Sequence, residues 1–423
     1  MGGAPNMKFK ILILFLALGQ FFAVPPASAR DKVVLGVATA LNAIEGRESM
    51  RAAKLAVGEL NQRGGLRAGG RNLPIALTSI DLADNRSPLP VDEILARLDQ
   101  FIRKQKIDAL VVGPFRSELL LPAMDIIAKY KVPLLETIAM TPAVESKVLA
   151  DSRYRYVFRT GLNTKYLADM LINTMKVLNQ RFGYTRVYLM SQDVAWARST
   201  ASLMIKLYFN RKGWKIVGSE NFAYGTTDFS AALKRATAQG AQVIVPIFDM
   251  PYSGQLALQW EKMGSTAMLC GFISPMTGPG AWKNFKGKIA GALNAIFELG
   301  NIPSARYPPA AEFYQAYAAK YGQPIESGHG PSAAYDAVYA LADAIEKAGT
   351  LDAEKIVTAL DATDRVGAIG RVRFHPSHQA LFGKDPDREA VACMIQWTRD
   401  GKRRIVYPPT IAEGEIEPPR VTP

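Results

Sequence analysis

The chain has 423 residues, of which 48% are apolar and 21% charged, with a formal charge of +13. This balance excludes an intrinsically disordered chain and leaves room for two or three domains of ordinary size. The basic residues are scattered among acidic ones, with no long basic run and no aromatic-plus-basic RNA motif, so the excess charge describes a solvated surface and no nucleic-acid partner is expected.

Residues 7–30, MKFKILILFLALGQFFAVPPASAR, join Lys8 and Lys10 to an apolar stretch over 11–24 and a small-x-small site at Ala27-Ser28-Ala29. That order describes a secretory signal peptide over residues 1–29, with Met1 or Met7 as its start. The apolar stretch is shorter than the roughly 20 residues of a membrane-spanning helix. No cysteine stands at the cleavage site, so no lipid anchor is expected, and the mature chain is expected in the periplasm.

A valine-rich run, KVVLGVAT (32–39), predicts the first strand. RESMRAAKLAVGELNQRGG predicts a helix with Ala53, Ala56, Val57 and Leu60 on its apolar side and a stop at Gly64-Gly65. LPIALTSID, a helix near 91–105, DALVVGP (108–114), a helix from Ser117 and VPLLET follow. Strands this uniformly apolar are covered on both faces, which predicts a parallel sheet between helix layers.

The same rhythm restarts after YVFRTG (156–161). A helix near 164–182, RVYLMSQD (186–193), a helix to about 212, WKIVGSENF, a helix near 228–239, AQVIVPIFD (241–249), a helix near 254–263 and TAMLCGFI are predicted in turn. Two such sets, each about 130 residues, mean two doubly wound α/β lobes. Residues 308–362 then read as helices, with Tyr335, Val338, Leu341 and Ile345 at helical spacing. GRVRFH, AVACMIQW and KRRIVYPP read as short antiparallel strands. Helices and edge strands supplied this late predict repeated crossing between the lobes.

Catalytic signatures are missing: no G-x-S-x-G elbow, no phosphate loop and no strand-associated G-x-G-x-x-G. His375 and His378 in FHPSHQ lack the third and fourth ligands that zinc takes, so a turn is predicted there. His329, between Gly328 and Gly330, reads as a loop or helix-start residue. Cys270 and Cys393 both lie in apolar strand-like runs, as a disulfide or as two buried thiols. No cofactor, metal or enzymatic activity is expected.

Open parallel sheets bind ligands beyond the carboxyl ends of their strands. In the first lobe those ends are Thr39-Ala40-Leu41-Asn42, Gly113-Pro114-Phe115-Arg116-Ser117 and residues 137–141. In the second they are Asp193-Val194-Ala195-Trp196, Phe248-Asp249-Met250 and Ile273-Ser274. Helix N-termini carry free N–H groups and partial positive charge, so a carboxylate fits at Ser117 or Thr141. Both residues also read as plain helix caps, and the two roles are compatible.

These pieces, in this order, resemble the type I periplasmic binding proteins that serve ABC transporters, the leucine/isoleucine/valine-binding group in particular. The resemblance rests on KVVLGVAT, RAAKLAVGELNQRGGL, DALVVGPFRS, KVPLLETIAMTPAV, YVFRTG, RVYLMSQD, TTDFSAALKRA, AAYDAVYALADAIEKAG and GAIGRVRFHPSHQ. It implies two lobes joined by three hinge crossings, near Arg159, Phe297 and Gly370. Residues 30–158 with 298–369 would form the N-terminal lobe, and 159–297 with 370–423 the C-terminal lobe. It also implies that Ser117, Ala139 and Thr141 hold the ligand's α-carboxylate and help to hold its α-amino group.

The second lobe departs from the family pattern. The D-x-x-Y-G motif becomes Asp193-Val194-Ala195-Trp196-Ala197, and the usual ammonium-pairing acid falls near Ile273 or Ser274, both uncharged. Either Asp249 supplies the counter-charge that a buried ammonium needs, or the ligand has no ammonium. In the second case Trp196 and Phe115 stack on an aromatic or apolar acid. Arg116 suits such an anion, and also reads as an exposed salt-bridging arginine. The expected protein is a monomeric solute receptor that captures a branched-chain or other amino acid and delivers it to permease subunits of an ABC transporter. A binder of an amine-free carboxylate or amide, and a ligand sensor acting through a partner protein, are the alternatives.

Overall fold

The computed structural model describes residues 1–3, 30–86 and 88–419, so the expected signal peptide lies outside the described residues. Lys32–Pro423 forms one unit and Met1–Asp31 another, and every helix and strand described belongs to the former. It begins with β1 (Val33–Thr39), α1 (Ile44–Gln62), a hairpin of β2 (Leu66–Ala68) and β3 (Arg71–Leu73), and β4 (Ile75–Asp81). Next come α2 (Val91–Gln105), β5 (Ala109–Val112), α3 (Ser117–Tyr130), β6 (Leu134–Glu136), α4 (Ala143–Ala150) and β7 (Val157–Arg159). Strands β4-β1-β5-β6-β7 form a five-stranded parallel sheet. β5, β6 and β7 are buried along their whole length, as strands between two helix layers must be.

The chain continues through α5 (Thr164–Phe182), β8 (Arg186–Gln192), α6 (Ala195–Met204), β9 (Lys215–Phe222), α7 (Ser230–Ala238) and β10 (Val243–Phe248). It then forms α8 (Gly254–Lys262), β11 (Met268–Ile273), the short α9 (Ala281–Asn284) and β12 (Leu293–Ile296). After β12 come α10 (Pro308–Tyr321), α11 (Pro331–Ala348) and α12 (Ala353–Asp361). α11 packs along α1, and its Val338, Leu341 and Ile345 join the core of the first sheet. The helices supplied late in the sequence therefore complete the first lobe.

Strands β13 (Arg365–Gly367), β14 (Gly370–Val372), β15 (Phe382–Gly383) and β16 (Ala390–Val391) make a small crossing sheet. β17 (Cys393–Trp397) and β18 (Arg403–Tyr407) then add antiparallel strands to the second sheet, whose order is β18-β17-β12-β11-β10-β8-β9. Cys270 on β11 and Cys393 on β17 flank β12, and both are buried and free. Two strand spacings across the sheet and a three-residue offset along β12 (Cys270 opposite Leu293, Cys393 opposite Ile296) put them roughly 14 Å apart, beyond disulfide reach.

Two element boundaries differ from the sequence reading. The helix after β8 ends its α-helical part at Met204 and passes into a π-helical turn, Ile205–Phe209, where Tyr208 and Phe209 pack on Trp214. The first helix starts at Ile44, a turn portion earlier than the periodicity indicated, which brings Glu45 into its first turn.

The first crossing is built around Arg159. Its side chain is 1% exposed, and its Nη1 donates to Glu145 Oε1 (3.1 Å) and Gln379 Oε1 (3.2 Å). Nη2 donates to the carbonyl of Thr141 (2.8 Å). His378, from the predicted turn, stacks on Phe158 with ring centroids 3.9 Å apart, while Arg159 N–H donates to its carbonyl (2.8 Å). Removing one member of such a buried ion pair strands the other charge. Arg159→Met is expected to lower the unfolding free energy by about 3–5 kcal/mol, read as a lower urea midpoint.

Candidate ligand site

The carboxyl ends of the two parallel sheets face a shared cleft, and each loop there is fixed by a buried polar group. After β5, Asp84 accepts from the backbone N–H of Phe115 (2.7 Å) and of Arg116 (3.3 Å). Burial pushes the Asp84 carboxyl up to about 6 despite those bonds. Arg116 is 3% exposed, so it is no surface arginine. Its Nη1 donates to Asp249 Oδ2 (2.6 Å) and its Nη2 to Asp249 Oδ1 (3.2 Å) and the Asn85 carbonyl (2.5 Å). The guanidinium lies over the Phe115 ring, 5.1 Å from its centroid. Burial works against its charge, but the Asp249 carboxylate more than offsets this and its basicity rises.

Asp249 follows β10, so this bidentate pair joins the two lobes. Two groups of the second lobe also donate to it: Gln192 Nε2 to Oδ1 (2.8 Å) and Trp196 Nε1 to Oδ2 (2.8 Å). Gln192 Oε1 in turn accepts from the backbone N–H of Asp249 and Met250. Four donors use the whole acceptor capacity of one carboxylate. A second bridge runs from Ser274, after β11, whose hydroxyl donates to Glu45 Oε1 (2.5 Å). Burial raises the Glu45 carboxyl above its ordinary range against that hydrogen bond, and the nearby Asp249 charge raises it further. A third contact joins the Ala195 N–H to Glu118 Oε1 (3.0 Å).

Behind these bridges lies an apolar pocket walled by Phe115, Trp196, Phe272 and Phe297, with Ile138 and Met140 from the loop after β6. The rings interlock: Phe272 and Phe297 centroids are 4.1 Å apart, and Trp196 meets Phe272 edge-on at 6.0 Å. Glu45, Asp249 and His329 are its polar lining. Glu45, Phe115 and Asp249 also line an outer chamber of about 570 Å³ that includes Asn42, Arg116, Tyr224 and Glu326. His329, in the loop before α11, bonds Glu298 through Nδ1 (3.0 Å) and the Ile138 carbonyl through Nε2 (2.8 Å). Burial opposes its protonation, yet the Glu298 charge dominates and its basicity rises.

The sequence-predicted residues divide into two groups. Phe115, Arg116, Trp196 and Asp249 line the cavities. Ser117, Ala139 and Thr141 sit just behind the wall, between its lining residues, and bond within the protein. Ser117 Oγ accepts from the Thr141 N–H (3.2 Å), and Thr141 Oγ1 accepts from the Ala143 N–H (3.3 Å) at the start of α4. The N–H groups of Thr137, Ile138 and Ala139 all donate to Glu136 Oε1, at 2.8, 2.8 and 3.1 Å. Burial pushes Glu136 up to about 7 in spite of these bonds. Asp249, one of the two alternatives for meeting a ligand ammonium, is engaged by Arg116, Gln192 and Trp196.

Glu45 and Phe272 were not singled out from sequence, while Phe297 was read as a hinge crossing and His329 as a loop or helix-start residue, neither as a cavity residue. Glu45 had a signal: a lone acid in the small-residue stretch ALNAIEG just past the end of β1. Phe272 read only as strand core. Among the described residues, no group of three or more His, Cys, Asp or Glu could hold a metal, and no helix is long and apolar enough to cross a membrane.

Comparison with known proteins agrees with this architecture. A family described as periplasmic binding protein matches residues 33–386. The chain is similar to Leu/Ile/Val-binding protein homolog 8 of Brucella abortus (strain 2308), 25% identical over 380 residues and covering 88% of each. It is similar to homolog 7 of Brucella suis biovar 1 (strain 1330), 23% identical over 392 residues, 89% of this chain and 91% of the relative. Among solved structures, it is similar to the branched-chain amino acid transporter substrate binding protein LivJ from Streptococcus pneumoniae in complex with isoleucine. The TM-score is 0.70 at 22% identity, covering 89% of this chain and 100% of that one. The leucine binding protein LivK from Thermotoga maritima MSB8 gives 0.70 at 18%, covering 89% and 98%. At these identities the structural likeness is one of fold.

The buried acids set a pH dependence. Glu48 and Glu136 are pushed up to about 7, and Asp84 and Asp336 to about 6, each chiefly by burial. Each holds a proton that the unfolded chain has already released, so its contribution is full below the ordinary carboxylate range and is lost as pH rises through the folded value. Raised His329 acts in the same direction. The unfolding free energy is therefore expected to fall from about pH 5 to about pH 8, and Glu136→Gln to flatten that slope in urea titrations.

Proposed function

We propose, on the premise that the chain belongs to the periplasmic binding protein family, that it is an extracytoplasmic receptor that captures a small carboxylate-bearing solute between its lobes. A branched-chain or other amino acid is the favoured solute, in keeping with the names of its relatives. The closed form is presented to permease subunits of an ABC transporter, whose ATPase drives uptake. The protein acts as a monomer in the periplasm, without a cofactor and without catalysing a reaction.

The observation that carries this reading is the buried Arg116–Asp249 pair spanning the cleft over an aromatic pocket. Each half lies on a different sheet, so the pair forms only when the lobes close. A solute with more contacts to the closed form shifts the open–closed equilibrium by that difference in affinity. Its carboxylate meets the hydroxyls of Ser117 and Thr141 and the positive ends of α3 and α4. Accepting it there requires the Thr141 N–H to exchange Ser117 Oγ for the ligand. The apolar part lies against Phe115 in the outer chamber, since the aromatic pocket behind it holds only about 20 Å³ of free space.

Thermal unfolding of ligand-stripped mature protein against leucine, isoleucine, valine, phenylalanine, benzoate-type acids, short fatty acids and amides tests the reading. A site-specific ligand at 100 times its Kd adds about 2.7 kcal/mol, a rise of a few degrees in Tm. Ser117→Ala and Thr141→Val, which remove the hydroxyls with little change of volume, are expected to abolish that rise while the ligand-free Tm falls by no more than a few degrees. A rise retained in both variants would contradict the carboxylate site.

A further inference from the structure

We propose that Glu45 receives the ligand's ammonium group, so that the solute is an amino acid and not an amine-free carboxylate. The inference rests on the reading of the chain as a receptor for small carboxylates, and it names the half of the ligand which that reading leaves open.

Most of the charges that face the cavities are already engaged within the protein. Asp249 is neutralised by Arg116 and its four acceptor positions are filled by Arg116, Gln192 and Trp196. An ammonium could reach it only by displacing one of those donors. His329 is paired with Glu298 and the Ile138 carbonyl. In the outer chamber, Glu326 accepts from the Gly280 N–H (3.0 Å), and Arg47 is exposed. Glu45 differs from all of these. It is 4% exposed, lines both cavities, and bonds no side chain but Ser274 among the described residues. Ionised, it leaves one unbalanced negative charge at the pocket, which one cation neutralises.

Burial makes that ionisation unfavourable without a partner. An ammonium beside it reverses the balance, and the surrounding Phe115, Trp196, Phe272 and Phe297 add the electron-rich walls that favour a desolvated cation. Ser274 stands across the cleft, in the segment where the family's usual acid falls. The charge has thus moved from the second lobe to the first turn of α1, where Ser274 gives it one hydrogen bond and no charge. The loop after β6, which carries Ala139 and Thr141, approaches the start of α1: a Cβ at Gly330 would lie 2.4 Å from Ser49 Oγ, 3.4 Å from Ile138 Cγ1 and 3.6 Å from the Glu45 carbonyl. Glu45 and Ile138 also line the same aromatic pocket.

The test compares leucine with 4-methylpentanoate, and phenylalanine with 3-phenylpropanoate, by titration calorimetry on wild type, Glu45→Gln and Ser274→Ala. Each pair differs only in the amine. Wild type is expected to prefer the amino acid of at least one pair by roughly 30-fold or more, the loss expected when a buried charge goes unpaired. Glu45→Gln is expected to bring the two to near equality by weakening the amino acid alone, with an unchanged unfolding midpoint. Ser274→Ala is expected to keep the preference. An unchanged preference in Glu45→Gln, a wild type that favours the amine-free acids, or a Ser274→Ala variant that loses the preference equally would each overturn the assignment. None of these three results touches the receptor reading, whereas a wild type that binds no carboxylate at all contradicts both.

Discussion

Asp249 collects four donors on one carboxylate, two of them from an arginine on the other lobe, and the arrangement of the cleft depends on that bond set. A buried carboxylate and a buried guanidinium are both expensive alone, and bidentate pairing with further hydrogen bonds is what makes their burial tolerable. Satisfying Asp249 fixes three elements at once. The loop after β5 is held through Arg116, the end of β8 through Gln192, and α6 through the Trp196 indole. Phe115 then lies beneath the guanidinium, and Trp196 is turned edge-on to Phe272. The aromatic pocket is a by-product of placing the charges.

On the proposed reading, closure and recognition fall to different groups. The Arg116–Asp249 pair is electrically complete and contributes to the closed form whatever the solute. Glu45 is incomplete, and its raised acidity range shows the strain of burying a carboxyl with one side-chain partner. The first-lobe loop is prepared separately. Glu136 gathers three successive N–H groups, while Arg159 holds the Thr141 carbonyl from the hinge side. One guanidinium thus ties the crossing to the loop.

Much of the fold was legible in the sequence because its signals are local and redundant. Apolar strands such as ALVV and VIVPIF, glycine stops and the restart after YVFRTG give the two lobes without any tertiary information. The crossings were readable because α11 carries a helical apolar stripe that only an existing sheet could cover. The cavity lining was legible in position, since Phe115, Arg116, Trp196 and Asp249 stand at strand ends, but not in pairing. Whether Arg116 meets a ligand or Asp249, 133 residues away along the chain, is decided by how the lobes dock, and no periodicity encodes that. Glu45 escaped notice for a related reason. An acid in a helix's first turn is ordinary by local rules, and only the approach of Ser274 gives it another role.

On the proposed reading, ligand and the Arg116–Asp249 pair act on one and the same lobe closure. The most direct measurement is the distance distribution between spin labels at Arg47→Cys and Tyr252→Cys, exposed positions on opposite lobes. Cys270 and Cys393 are fully buried and do not compete for the label. A stabilising amino acid should collapse a broad distribution to one short distance, and Asp249→Asn should shift the ligand-free distribution outward. A distribution that is the same with and without every stabilising ligand, and the same in Asp249→Asn, would contradict the account.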